Sequence, residues 1–277
     1  MTQWTNDSVV VDGATVRYRT TGDGPTIVFV HGVYVGGSLW DGIADRLPGY
    51  RCILPTWPLG GHVDHSPTAD LSALATAARI PRFLDALDLH DVTLVGNDTG
   101  GGLCLASLAV DHTRLARLVL TNCDSYEHFP PKGFDTIATL SRKVPLMGKA
   151  FIKFLSSGPG RKFFLKAVCV NPPTGPAALR VFEAFATSRA ARKDALATTK
   201  TLHPSVTLDA VPALQAFAKP VLLVWGENDK LFPIAHAERL QADFPDATMV
   251  RIADACTYVM LDQPDALAAA ITTFVPA

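Results

Sequence analysis

Short, uninterrupted apolar runs recur along this chain, separated by amphipathic stretches. TIVFVHG (26–32), RCILPT (51–56), DVTLVGN (91–97), LARLVLTN (115–122), KPVLLVWGEND (219–229) and ATMVRIAD (247–254) each read as a strand buried on both faces. A half-solvated strand would alternate instead, so the pattern predicts a mostly parallel α/β sheet flanked by helices. Ahead of these runs, SVVVDG and ATVRYRTTGDG predict a hairpin turning at Asp12-Gly13, because Asp-Gly suits a turn with positive φ at both residues. The prediction is eight strands in one sheet. LSALATAARIPRFLDALDL (71–89) has helical periodicity, and Pro81 is expected to kink or split that helix. From Asp124 to Lys219 the strand rhythm stops, and helix-like segments are punctuated by Pro130-Pro131, Pro145, Gly158-Pro159-Gly160 and Pro172-Pro173. Residues 1–124 and 219–277 are therefore expected to form the core, with 125–218 a helical cap inserted after the sixth strand.

Composition narrows the function classes. At 277 residues and 48% apolar content the chain has ample material for a globular core. With 25 basic and 26 acidic residues and no long basic run, it has no electrostatic footprint for nucleic acid or an anionic membrane. The polar start MTQWTNDS does not resemble a leader, and no apolar run approaches the length of a membrane span, which points to a cytoplasmic protein. Cys52, Cys104, Cys123, Cys169 and Cys256 are scattered without metal-ligand spacing, so neither a disulfide framework nor a metal is expected. Cys256 reads as a buried thiol.

Four segments carry the chemistry: VHGVYVGGSLW, GNDTG, GENDKLFP and ACTYVMLDQP, in that order. In combination they resemble the oxyanion loop, nucleophile elbow, acid loop and histidine segment of the α/β-hydrolase superfamily, and the resemblance spans essentially the whole chain. It implies an α/β-hydrolase fold with Asp98 in the nucleophile's place, flanked by Gly96 and Gly100; the plainer reading of Asp98 is a helix N-cap. It further implies an oxyanion site from the backbone N–H groups of Val33 and Thr99, with Asp229 as triad acid and Asp124 at the other acid position used in this fold. For Asp229 and Asp124 the alternative is a turn residue bonding its own backbone. Thr257 stands where the catalytic histidine is expected.

A carboxylate nucleophile resembles the haloalkane dehalogenase and epoxide hydrolase branch, in which attack on carbon leaves an ester on the enzyme. The first step needs no histidine, whereas deprotonating the water that cleaves the ester does. The chain also departs from that branch at Thr99 and Val33, where halide anchors are expected, and has no tyrosine within the body of the cap. Among possible substitute bases His62 ranks first, with His65 and His128 behind it. His31 suits a structural role in the oxyanion loop, although that position also makes it, with Tyr34, a candidate to touch substrate. Phe129, Thr257 and Tyr258 are further candidates for substrate contact. The expected ligand is a small, largely apolar molecule, with no cofactor, and the protein a monomer or homodimer. A hydrolase of atypical triad is the leading reading; a non-hydrolytic lyase or isomerase and an inert ligand-binding or sensing protein are the alternatives.

Overall fold

The computed structural model describes residues 4–64, 68–175 and 180–276. Eight strands form one sheet: β1 (Thr5–Val11), β2 (Ala14–Thr21), β3 (Thr26–Val30), β4 (Arg51–Thr56), β5 (Val92–Asp98), β6 (Leu115–Cys123), β7 (Val221–Gly226) and β8 (Ala247–Ile252). Their spatial order is β1-β2-β4-β3-β5-β6-β7-β8, antiparallel from β1 through β2 to β4 and parallel across the rest. β5 and β7 are buried along their whole length, as expected of strands covered on both faces, whereas β8, at the edge of the sheet, is fully buried only at Ile252 and so departs from that expectation. The β1–β2 hairpin turns at Asp12 (φ 48°) and Gly13 (φ 73°), the two positive angles that its sequence anticipates.

The helices of ten or more residues are α1 (Ala73–Ala86), α2 (Thr99–Leu108), α3 (Phe134–Lys143), α4 (Pro145–Ser156), α5 (Gly158–Val168), α6 (Arg189–Thr199), α7 (Ile234–Asp243) and α8 (Pro264–Phe274). Of the two outcomes expected at Pro81, splitting does not occur: Pro81 lies inside the single helix α1. A proline inside a helix costs about 3 kcal/mol, and here several anchors offset that. Ser72 caps the first turn through Ala75 N–H, while Ile80, Phe83 and Leu84 are buried. The Arg79 guanidinium, fully buried, donates to the carbonyls of Val11 and Asp70 and so ties the helix to the hairpin.

The helices α3 to α6 all lie between β6 and β7, and no described residue between those strands belongs to a sheet strand. They stand over the carboxyl ends of the central strands, the edge of a parallel sheet at which ligands bind. No helix of the described residues is long and apolar enough to cross a membrane.

Candidate active site

Strand β5 runs into helix α2 without an intervening loop, and Asp98 occupies the corner with φ 53° and ψ −135°. Such a backbone costs a non-glycine residue about 1–3 kcal/mol and persists only where its surroundings impose it. The imposition comes from close packing. A Cβ on Gly100 would lie 2.5 Å from the carbonyl oxygens of Val30 and His31, and one on Gly32 would collide with the Asp98 carboxylate itself. Asp98 thus rests directly on the backbone that follows β3. Its side chain makes no N-capping hydrogen bond to α2 beyond the adjacent Thr99 N–H, so an N-cap role does not explain it.

Three buried carboxyl groups meet here. Asp98 is 8% exposed, and burial pushes its pKa up to about 7; the N–H of Thr99 opposes the rise and the charge of Asp229 adds to it. Asp124 is wholly buried with neither oxygen hydrogen-bonded, and burial together with the Asp98 charge holds its pKa well above the carboxylate range. Thr99 lies near enough to oppose that shift without a well-aligned bond. Asp229 is likewise raised by burial, though less freely, because its oxygens accept from Leu231 N–H (2.8 Å), Phe232 N–H (3.1 Å), Asn122 Nδ2 (2.8 Å) and Thr257 Oγ1 (2.9 Å).

Two asparagines that the sequence reading passed over organise this cluster. Asn97 Nδ2 donates to the carbonyl of Thr257 at 2.7 Å and to Thr121 Oγ1 at 2.9 Å, binding the Thr257 segment to β5 and β6. Asn122 donates to Asp229 and accepts from Gly226 N–H at 2.7 Å, fixing β7 against β6. Their signal was available: each is a polar amide closing an otherwise apolar strand, in LVGN and LVLTN.

The candidate histidines are committed elsewhere. Nδ1–H of His31 donates to Gly32 O (2.8 Å) and Nε2 accepts from Trp57 N–H (2.9 Å), while burial lowers its pKa to about 4. This neutral ring braces the loop and has no nitrogen left for a substrate. His62 is a second correction. Its Nδ1 accepts from Gly60 N–H (3.3 Å), so Nε2–H donates to Asp194 of α6 (3.0 Å), and the residue clamps the cap instead of presenting a base to Asp98. His65 lies outside the described residues. His128 stacks on His236 with ring centroids 4.3 Å apart, in a groove outside the Asp98 cavity. No described histidine hydrogen-bonds Asp98.

Of the aromatic candidates, Tyr34 and Tyr258 lie close enough to Asp98 for its charge to help hold both phenols protonated, after the larger effect of burial. Tyr34 Oη pairs with Thr199 Oγ1 at 2.9 Å; Tyr258 Oη is buried without a partner. Phe129 is a third correction: it is fully buried against α2, where a Cβ on Gly102 would come within 2.7 Å of its ring, and it does not line the cavity. Phe129→Ala is therefore expected to destabilise the fold by about 3–5 kcal/mol in urea unfolding, as removal of a packed ring does.

What does enclose Asp98 is Val33 and Thr99 from the core, Pro130, Pro131, Phe134, Phe164, Val168 and Leu202 from between β6 and β7, and Leu231. The cavity has a volume of about 20 Å³, room for about one water molecule. A bound substrate requires these walls to move apart.

Comparison with known proteins agrees with this architecture. A family model for the alpha/beta hydrolase fold matches residues 25–264. Haloalkane dehalogenase 2 of Mycobacterium tuberculosis is 30% identical over 275 residues, covering 92% of this chain and 90% of that protein. A cis-3-alkyl-4-alkyloxetan-2-one decarboxylase of Xanthomonas campestris is 26% identical over 95% of this chain and 92% of its own. Among solved structures, haloalkane dehalogenase DbeA of Bradyrhizobium elkani superposes with a TM-score of 0.82 at 19% identity, covering 98% of this chain and 97% of that one. The chain belongs to the α/β-hydrolase fold family and has haloalkane-dehalogenase-like relatives.

Proposed function

We propose that this protein acts on a small, largely apolar electrophile through the Asp98 carboxylate. A carboxylate oxygen forms a bond to carbon, the leaving group departs with its electron pair, and Asp98 is left as an ester. The observation that carries this reading is the position of Asp98: a strained corner at the carboxyl end of β5, roofed by apolar side chains, in one cavity with Val33 and Thr99. Those two residues supply backbone N–H groups for a developing negative oxygen. Only the ionised form attacks, so adduct formation rises with pH through about 7 and then levels.

The second step is where this chain departs from what the resemblance implies, because Thr257 stands where a histidine is expected. Cleaving the ester with water requires a base, and Thr257, bonded to Asp229, is a poor one. The ester is accordingly expected to form quickly and to break down slowly. Intact-mass measurement after incubation with a panel of haloalkanes and strained-ring electrophiles checks this. A persistent adduct mapping to Asp98 is the expected outcome; saturable binding of the same compounds with neither adduct nor product would make the protein an inert binder.

A second reading is a non-hydrolytic reaction in which Asp98 transfers charge or a proton and no water is consumed. The cluster of three carboxyls without a bonded imidazole favours it, as does the similarity to an oxetanone decarboxylase. Turnover in oxygen-18 water separates the two: label in product or in Asp98 means hydrolysis, and none over many turnovers means the second reading.

A further inference from the structure

A second hollow lies one residue away from the Asp98 cavity. It is an open groove of about 470 Å³ between the segment Tyr126–Lys132 and the segment Lys230–Arg239. Leu231 lines both spaces, and the segment that gives Pro130 and Pro131 to the inner cavity gives Tyr126, His128 and Lys132 to the outer groove. The two spaces therefore share Leu231 as part of their walls.

The groove's charges are unevenly committed. Arg239 lies 3.6 Å above the Tyr126 ring and is bonded to both oxygens of Glu127, at 3.0 and 2.8 Å, so its charge is neutralised in place. His128 and His236 stack with ring centroids 4.3 Å apart, and burial, then the neighbouring His128, lowers the His236 pKa to about 4. Lys132 and Lys230 have no acidic partner among the described residues. The mouth is thus net positive over a wall of aromatic and aliphatic surface, and the inner cavity is apolar.

We propose that this groove is the approach to Asp98 and that it selects an amphiphilic carboxylate, whose head is held by Lys132 and Lys230 while its apolar chain passes Leu231 toward the reacting group. The proposal rests on the reading of Asp98 as that group and narrows the substrate to chains carrying a carboxylate distal to the reactive carbon. Leu231 acts as the gate: its backbone is fixed by Asp229, so opening falls to its side chain and to the facing loop.

The test uses decanoate and decan-1-ol, alike in chain and different in head, with binding measured by calorimetry on the intact protein. Decanoate is expected to bind more tightly, and the paired substitution Lys132→Glu with Lys230→Glu to weaken decanoate about five- to twentyfold while leaving decan-1-ol unchanged, in proportion to two lost exposed ion pairs. Leu231→Trp is expected to slow adduct formation on Asp98 at least tenfold. Equal binding of the two probes, no binding of decanoate, or an adduct rate indifferent to Leu231→Trp would overturn the proposal. Head-group selectivity without any adduct would instead count against Asp98 and leave the groove standing, because the binding arm needs no chemistry.

Discussion

Replacing Asp98 with Asn is expected to abolish turnover and, at neutral to alkaline pH, to stabilise the protein. The first effect follows from removing the attacking oxygen: an amide of the same shape is not a nucleophile, and loss of a nucleophile typically costs on the order of 10⁴-fold or more. The second follows from burial. The Asp98 carboxyl has a folded-state pKa of about 7, raised above the value of an unfolded chain, so folding favours its protonated form. That preference is fully present below about pH 4 and is lost as the pH rises to about 7, where the buried group must ionise. Asn never ionises. The variant should therefore unfold at the same urea concentration as the parent near pH 4 and gain about 2–4 kcal/mol over it at pH 8. The parent itself should lose stability across this interval as Asp98 ionises, and burial raises Asp124 and Asp229 in the same direction. Undiminished turnover by the Asn variant on a confirmed substrate would remove Asp98 from the chemistry. A stability gain equal at both pH values would refute burial as the source of its shift.

One cause joins these two effects. The wall of Val33, Pro131, Phe134, Phe164 and Leu231 that excludes water from Asp98 makes its charge costly in the resting protein, and desolvated charge is reactive charge. The strain at the elbow works with it, since φ 53° holds the carboxylate over Gly32, where the following helix alone would not place it. Stability is given up locally at the site and is recovered in the eight-stranded sheet and its buried strands.

How far the site is legible in the sequence depends on whether its cause is local. The sheet is legible because a strand buried on both faces leaves a continuous apolar run, and the Asp12-Gly13 turn because its residue types tolerate the required backbone. The place of Asp98 is legible because its corner demands small residues nearby, and Gly96 and Gly100 are visible in the chain. His62 is not legible, because its partner Asp194 lies 132 residues away, on a cap helix whose docking only the folded chain defines. Phe129 fails for a related reason: an aromatic near the start of the cap packs either on a ligand or on the nearest helix, and the absent side chain at Gly102 opens the second option. At Pro81 the local rule leaves a kink and a break both open, and tertiary anchoring by Arg79 and the buried face of α1 accompanies an unbroken helix. The closed volume around Asp98 is a sum over several distant segments, and no local pattern encodes it.

Thr257→His is expected to turn a stalled ester into a turning-over one. Thr257 Oγ1 lies 2.9 Å from Asp229 Oδ2, and that carboxylate is already held by Asn122 and by two backbone N–H groups of its own loop. An imidazole at position 257 would donate Nδ1–H to the same oxygen, and its other nitrogen would then be a base in the range that threonine lacks. General-base catalysis is typically worth 10²–10⁴-fold, so the half-life of the Asp98 adduct should shorten by about that factor and label from oxygen-18 water should appear in the released product. The larger ring in a fully buried site is expected to lower stability by about 1–3 kcal/mol. Adding Asp229→Ala to the variant should remove most of the gain, because the ring then loses the group that orients it and stabilises its charge. If the variant folds and its ester persists as long as the parent's, the slow second step has another cause than residue 257. In that case the carboxyl cluster of Asp98 with Asp124, the feature that favours chemistry without water, becomes the better guide to the reaction.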